Sequence, residues 1–103
     1  MILNYFKSTD GKNLKIKITG DCDTYSVREF YTSITKMLQT SWDKAILDLS
    51  GVAYLDSSGV GAIIRIIRLA KEKQIALRFQ GIQNTPRKVL EMSNILSLMT
   101  EEN

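Results

Sequence analysis

Hydrophobic and polar positions alternate most cleanly from Leu14 to Thr19, where Leu14, Ile16 and Ile18 are separated by Lys15 and Lys17. Side chains of a strand point to opposite faces in turn, so this pattern predicts a half-buried strand with one wet face. A weaker alternation over residues 2–7 predicts an earlier strand at a sheet edge. Between the two lies Thr9-Asp10-Gly11-Lys12, whose Asp-Gly pair favours a tight hairpin. The period then lengthens. Val27, Phe30, Tyr31, Ile34, Met37 and Leu38 fall on one stripe of a helix, with Arg28, Glu29, Thr32 and Lys36 outside it, and the stripe reads as core. Ala45-Ile46-Leu47-Asp48-Leu49 is too continuous to have a solvated face and suits a central, parallel strand. A helix runs from about Ser57 to Gln74, followed by a strand from Ile75 to Gln80 that Gly81 ends. A strand, helix and strand at this spacing form a right-handed crossover, which makes the two strands parallel. Thr85-Pro86 predicts a helix start with Thr85 as N-cap and Pro86 in the first position. Val89, Leu90 and Met92 give that helix its apolar side, and Ser93-Asn94 ends it. Ile95, Leu96, Leu98 and Met99 pack again before a polar tail.

The helix after Ser57 carries more apolar surface than a sheet needs. Val60, Ile63, Ile64, Ile67, Ala70 and Lys71 cover one side, and Ala62, Ile66 and Leu69 form a second stripe, roughly 100° away at 3.6 residues per turn. Arg65, Arg68 and Glu72 occupy the remainder. A single sheet-facing stripe needs an arc of only about 100°. The excess is either packing against another helix or a surface meant for a partner. In the second case Ala62, Ile66 and Leu69, with Arg65 beside them, are the partner-binding residues.

Composition narrows the chemistry. At 103 residues the chain is one domain with one core, and 44% hydrophobic and 24% charged residues are ordinary for a globular protein. The net charge of +3 is spread along the chain rather than gathered in a basic run, which gives nucleic acid no concentrated footprint. There is no histidine, which removes His-based triads, most zinc sites and imidazole acid–base chemistry. The single cysteine, Cys22, permits no internal disulfide and fits a reducing, cytoplasmic compartment. The N-terminal residues turn polar too soon for a signal peptide, and no apolar run is long enough to span a membrane. No cofactor motif or activated nucleophile is visible, so the expectation is a non-catalytic protein without cofactor or metal.

The most specific stretch is Asp56-Ser57-Ser58-Gly59-Val60-Gly61, where the apolar strand gives way to the long helix. Asp and Ser side chains accept hydrogen bonds from the unpaired N–H groups at a helix start, which places the N-cap at or near Ser57. Glycines are poor residues for a first turn. Gly59 and Gly61 are therefore expected to admit a close neighbour, either another backbone or a partner. A phosphate on Ser57 would suit the positive end of the helix dipole, although Asp56 would repel it. It would add roughly −1.5 to −2 charges to an exposed surface, which makes it a charge switch for a partner rather than a conformational trigger. The loop Gly20-Asp21-Cys22-Asp23-Thr24 also carries two carboxylates. They either cap the following helix, through Asp23 or Thr24, or hold a cation, for which further oxygen ligands at the right spacing are missing.

The order of elements and the run Leu47-Asp48-Leu49-Ser50-Gly51-Val52-Ala53-Tyr54-Leu55-Asp56-Ser57-Ser58-Gly59-Val60-Gly61 resemble a STAS domain, in particular the bacterial anti-sigma-factor antagonists. The resemblance covers nearly the whole chain. It implies an α/β fold over residues 1–103, with a central mixed four- to five-stranded sheet packed on one side by three to four helices. By resemblance, Ser57 is the phosphorylated hydroxyl, Ser58 is its neighbour, and Asp23, Asp56 and Gly59 lie beside it. The family's partners are a GHKL-type anti-sigma-factor serine kinase, which the dephosphorylated protein binds, and a serine phosphatase that resets the switch. A monomer is expected. Where the family more often has Leu, Val60 stands here, and many members continue with a further strand and helix beyond the point where this chain stops. Arg68-Leu69-Ala70-Lys71-Glu72-Lys73 and Phe79-Gln80-Gly81-Ile82 also look like the STAS subunit of Mla-type phospholipid ABC transporters, which binds the transporter's ATPase through the same helix face.

Overall fold

The computed structural model describes residues 3–102. A hairpin of β1 (Asn4–Asp10) and β2 (Asn13–Thr19) leads into α1 (Val27–Met37). The central strand β3 (Lys44–Gly51), α2 (Ser57–Glu72), β4 (Ala76–Gln80) and α3 (Asn84–Met92) follow, then a short 3₁₀ turn at Leu96–Leu98. The sheet order is β1-β2-β3-β4, with β1 antiparallel to β2 and the other two pairs parallel. Both crossovers, β2-α1-β3 and β3-α2-β4, step the same way across the sheet. With right-handed connections this puts α1 and α2 on the same face.

Burial follows that geometry. Leu14, Ile16 and Ile18 on β2, Ala45 and Leu47 on β3 and Phe79 on β4 point into the core, against Phe30, Ile34 and Leu38 of the first helical segment and Ile63, Ile66 and Ala70 of α2. Each large side chain among them contributes roughly 1.5–3 kcal/mol by leaving water. Lys15 and Lys17 stand exposed on the open face. Asp48, on the same face, is nearly buried. Its Oδ1 accepts from Ser50 N at 2.9 Å, and its Oδ2 from Gln80 Nε2 at 3.2 Å. Burial alone would raise its pKa, but the bonds from Ser50 and Gln80 and the charge of Lys15 outweigh that and hold it below the usual carboxylate range.

Several boundaries fall elsewhere than the sequence suggests. The part of the first-strand prediction that touches residue 2 lies outside the described residues. Asp10 pairs with Asn13, so the hairpin loop is Gly11-Lys12, with Gly11 at φ 61°: the glycine takes the first loop position, not the second. The α2 cap is Asp56, one residue before Ser57. The last helix starts at Asn84 with Gln83 as cap, two residues earlier than Thr85-Pro86 implies. Pro86 is tolerated there because the first turn's N–H groups have no partner within the helix. Both α2 and α3 end in a residue with φ 60°, Gln74 and Asn94. In each case the next residue, buried Ile75 or Ile95, returns its N–H to a carbonyl of the last turn, that of Ala70 or Leu90. Leu98 is 60% exposed rather than packed. The tail is not loose: Phe79 N donates to Thr100 O, and Glu102 N donates to Phe79 O, a one-residue parallel bridge beside β4. Ion pairs Lys44–Glu102 and Arg87–Glu101 fasten it.

Candidate functional site

The site is built where two loops leave the sheet at the same end. The loop after β2 and the loop after β3 run side by side: Cys22 N donates to Tyr54 O at 3.0 Å, and Asp56 N donates to Cys22 O at 3.2 Å. Asp56 then joins them through its side chain. Its Oδ1 accepts from Ser58 N at 2.9 Å and Gly59 N at 3.3 Å, which is the cap of α2. Its Oδ2 accepts from Thr24 N at 3.2 Å and Thr24 Oγ1 at 3.4 Å. One carboxylate thus satisfies orphan amides of the helix and anchors the neighbouring loop. Removing it by Asp56→Ala should cost about 2 kcal/mol, the upper end of a lost cap. Asp56→Asn, which keeps Oδ1 as an acceptor, should cost less. Thermal unfolding gives the two differences, and faster amide exchange at Thr24, Ser58 and Gly59 in the alanine variant locates the loosening.

Asp23 does different work. Its Oδ1 accepts from Tyr25 N at 2.9 Å and Ser26 N at 3.0 Å, holding the turn that precedes α1. The N-cap of α1 is Ser26, which makes no side-chain cap bond, and not Asp23 or Thr24 as the sequence suggests; Asp23 braces the turn that precedes the helix because its carboxylate reaches the amides of that turn and not those of the first helical turn. Among the described residues, no cluster of three or more His, Cys, Asp or Glu side chains could hold a metal ion.

The two serines are not equivalent. Ser58 is half-buried and its Oγ lies 3.2 Å from Thr24 Oγ1, sharing a hydrogen bond. Ser57 is exposed on the first turn of α2, and among the described residues no protein group bonds its hydroxyl. Gly59 is buried, and a Cβ there would stand 2.3 Å from Leu55 Cδ1 and 3.0 Å from both Cys22 O and Cys22 Sγ. The glycine is what lets α2 start hard against the β2–α1 loop.

Cys22 itself is buried under this junction. Burial first, then the negative charges of Asp56 and Asp23, push its thiol up to about 12. The thiolate is the reactive form, so a thiol reagent should label the native protein very slowly and react at an ordinary rate once urea unfolds it. Rapid labelling of the folded protein would contradict this arrangement.

The second stripe on α2 is largely covered within the molecule rather than exposed. Ala62 is 4% and Ile66 0% exposed, and Leu69 is mostly covered. Helix α1 packs against α2, and Ala62 and Ile66 join the core, with Ala62 also reaching the edge of the gap between the two helices. Arg65 alone of that set is exposed, with its guanidinium 4.0 Å from the centre of the Tyr31 ring. What the sequence did not single out is a groove of about 510 Å³ between the two helices, lined by Val27, Arg28, Tyr31, Ser58, Gly61, Ala62 and Arg65. Thr24, the link between the loops, was foreseen only as a cap. Two exposed aromatics also flank the site, Tyr25 at 95% and Tyr54 at 47%.

The mixed sheet thus sets a capped turn with an exposed serine hydroxyl at the end of its central strand. The chain belongs to the STAS domain family, whose model matches residues 7–103. Among curated proteins it is 26% identical to the anti-sigma-B factor antagonist of Staphylococcus aureus (strain NCTC 8325 / PS 47), over 96% of this chain and 92% of the relative. It is 23% identical to the protein of the same name in Staphylococcus epidermidis, with the same coverage. Two solved structures share the fold. One is an anti-sigma factor antagonist from Mycobacterium paratuberculosis, with a TM-score of 0.86 at 12% identity over 99% of this chain and 87% of the other. The other is the anti-sigma factor antagonist SpoIIAA in its unphosphorylated form, at 0.76 and 20%, over 97% and 89%. Both curated relatives are matched over nearly their full length. Among the described residues no helix is long and apolar enough to cross a membrane.

Proposed function

We propose that this chain is an anti-sigma-factor antagonist that acts by partner switching and performs no catalysis of its own. With Ser57 unmodified it binds a GHKL-type anti-sigma-factor serine kinase in the cytoplasm. The kinase phosphorylates Ser57 and the complex separates, and a serine phosphatase returns the protein to its binding state. The observation that carries this reading is the contrast between the serines: Ser57 offers an exposed hydroxyl with no partner among the described residues, while Ser58 is tied to Thr24. The names of the curated relatives support the class, and one structural neighbour, at TM-score 0.69 and 20% identity, is SpoIIAA in a phosphorylated form.

The local physics supports a switch that leaves the fold alone. Asp56 already caps the helix through Ser58 N and Gly59 N, so a phosphate on Ser57 is not needed to complete it. The added charge falls on an exposed surface next to the partner, where like-charge repulsion and desolvation act on binding rather than on folding. The test uses purified protein, an anti-sigma serine kinase from the same host, and ATP. One phosphate should appear on Ser57, persist in Ser58→Ala and vanish in Ser57→Ala. Modification at Ser58, or none, would overturn the assignment.

A further inference from the structure

Gly59 has its reason inside the molecule, but Gly61 does not. Two residues further along the same helix, a Cβ on Gly61 would meet nothing within 4 Å. Glycine in a helix is unfavourable relative to alanine, and here no internal contact accounts for it. The open space is the groove between α1 and α2. Its lining residues belong to those two helices alone, so no loop closes over it, and it is shaped to receive a protruding segment rather than to enclose a small molecule. Its floor is apolar, from Val27, Tyr31 and Ala62. Its charged walls are Arg28 and Arg65, both exposed, with no acidic residue among the lining. Neither arginine is in an ion pair among the described residues. Arg65 is held in place by stacking on Tyr31, so less of its conformational freedom remains to be lost on binding.

We infer that this groove docks a segment of the partner kinase that carries a carboxylate beside small apolar side chains. The carboxylate pairs with Arg65 and Arg28, and the apolar part lies against the helix backbone at Gly61. The inference rests on the partner-switch reading and adds the chemistry of the partner's surface. It also connects binding to release. Ser58 lines the groove and Ser57 precedes it, so a phosphate on Ser57 would set negative charge beside the docked carboxylate and repel it.

The test measures affinity for the kinase by calorimetry, with wild type, Gly61→Ala, Gly61→Leu and Arg65→Glu, alongside thermal unfolding of each. Gly61→Ala should raise the melting temperature, which shows that nothing inside the fold requires glycine there. Gly61→Leu should remain folded and bind at least tenfold more weakly, because its side chain fills the groove. Arg65→Glu should also bind at least tenfold more weakly, with a shallower dependence on salt. Wild-type affinity in both binding variants would overturn the groove while leaving the partner-switch reading intact. Loss in Gly61→Leu alone would overturn the acidic character of the segment. If wild type neither binds the kinase nor is phosphorylated by it, the functional reading fails and this inference falls with it.

Discussion

Valine in place of Gly59 is expected to destabilise the protein by about 2–3 kcal/mol, the range of an overpacked core. The first added carbon already stands 2.3 Å from Leu55 Cδ1 and 3.0 Å from the carbonyl oxygen of Cys22. Leu55 can swing away at some cost, but Cys22 O is backbone, and it accepts the hydrogen bond from Asp56 N that keeps the two loops together. Relief therefore has to come from parting the loops, which weakens the Asp56 bonds to Thr24 as well. The gain in helix propensity on leaving glycine, a few tenths of a kcal/mol for valine, offsets little of this. For a domain of this size each kcal/mol is worth about 4 °C or more in melting temperature, so a drop of roughly 10 °C should be plain in a circular dichroism melt. A melt unchanged from wild type would mean that the loops are not packed as described.

The second large effect concerns binding, not stability. Ser57→Asp should lower affinity for the kinase at least a hundredfold, while Ser57→Ala should stay within a few-fold of wild type. Both variants should melt near the wild-type temperature, because the side chain is exposed and surface changes of this kind stay within about 0.5 kcal/mol. Aspartate brings a single charge, whereas phosphoserine brings about −1.5 to −2, so the modified protein should bind more weakly still. Calorimetry against the kinase, with thermal melts on the same samples, separates the two quantities. Equal affinity for Ser57→Asp and Ser57→Ala would remove charge at this position as the switch.

The elements that could be read directly from the chain are those with one dominant period. The strict alternation of β2 and the apolar run of β3 both appear where expected, β2 in a hairpin with β1 and β3 parallel to β4, although β3 has an open face, which carries Asp48. Helix starts were harder to fix. Asp56, Ser57 and Ser58 are all good caps by type, and only the backbone turn decides that Asp56 takes the position. The second apolar stripe of α2 shows the same limit in a different form. Hydrophobicity says that Ala62 and Ile66 will be covered, but not by what, and the cover is a core supplied by distant stretches of sequence. The groove beside it was legible only in part. The anomalous glycine at position 61 was visible, but the pairing of Arg28 with Arg65 across two helices exists only once α1 and α2 are packed. Docking of Thr100 and Glu102 onto Phe79 had no local signal either, since edge pairing uses backbone groups that every residue carries.

The most direct measurement is recovery of partners from the native host with wild type, Ser57→Ala and Ser57→Asp as baits, together with the intact mass of each bait. The account predicts that a GHKL-type serine kinase co-elutes with wild type and Ser57→Ala but not with Ser57→Asp, and that native wild type carries a single phosphate absent from Ser57→Ala. Recovery of an ABC-transporter ATPase with all three baits, and no phosphate on any of them, would contradict it and assign the chain to a transporter instead.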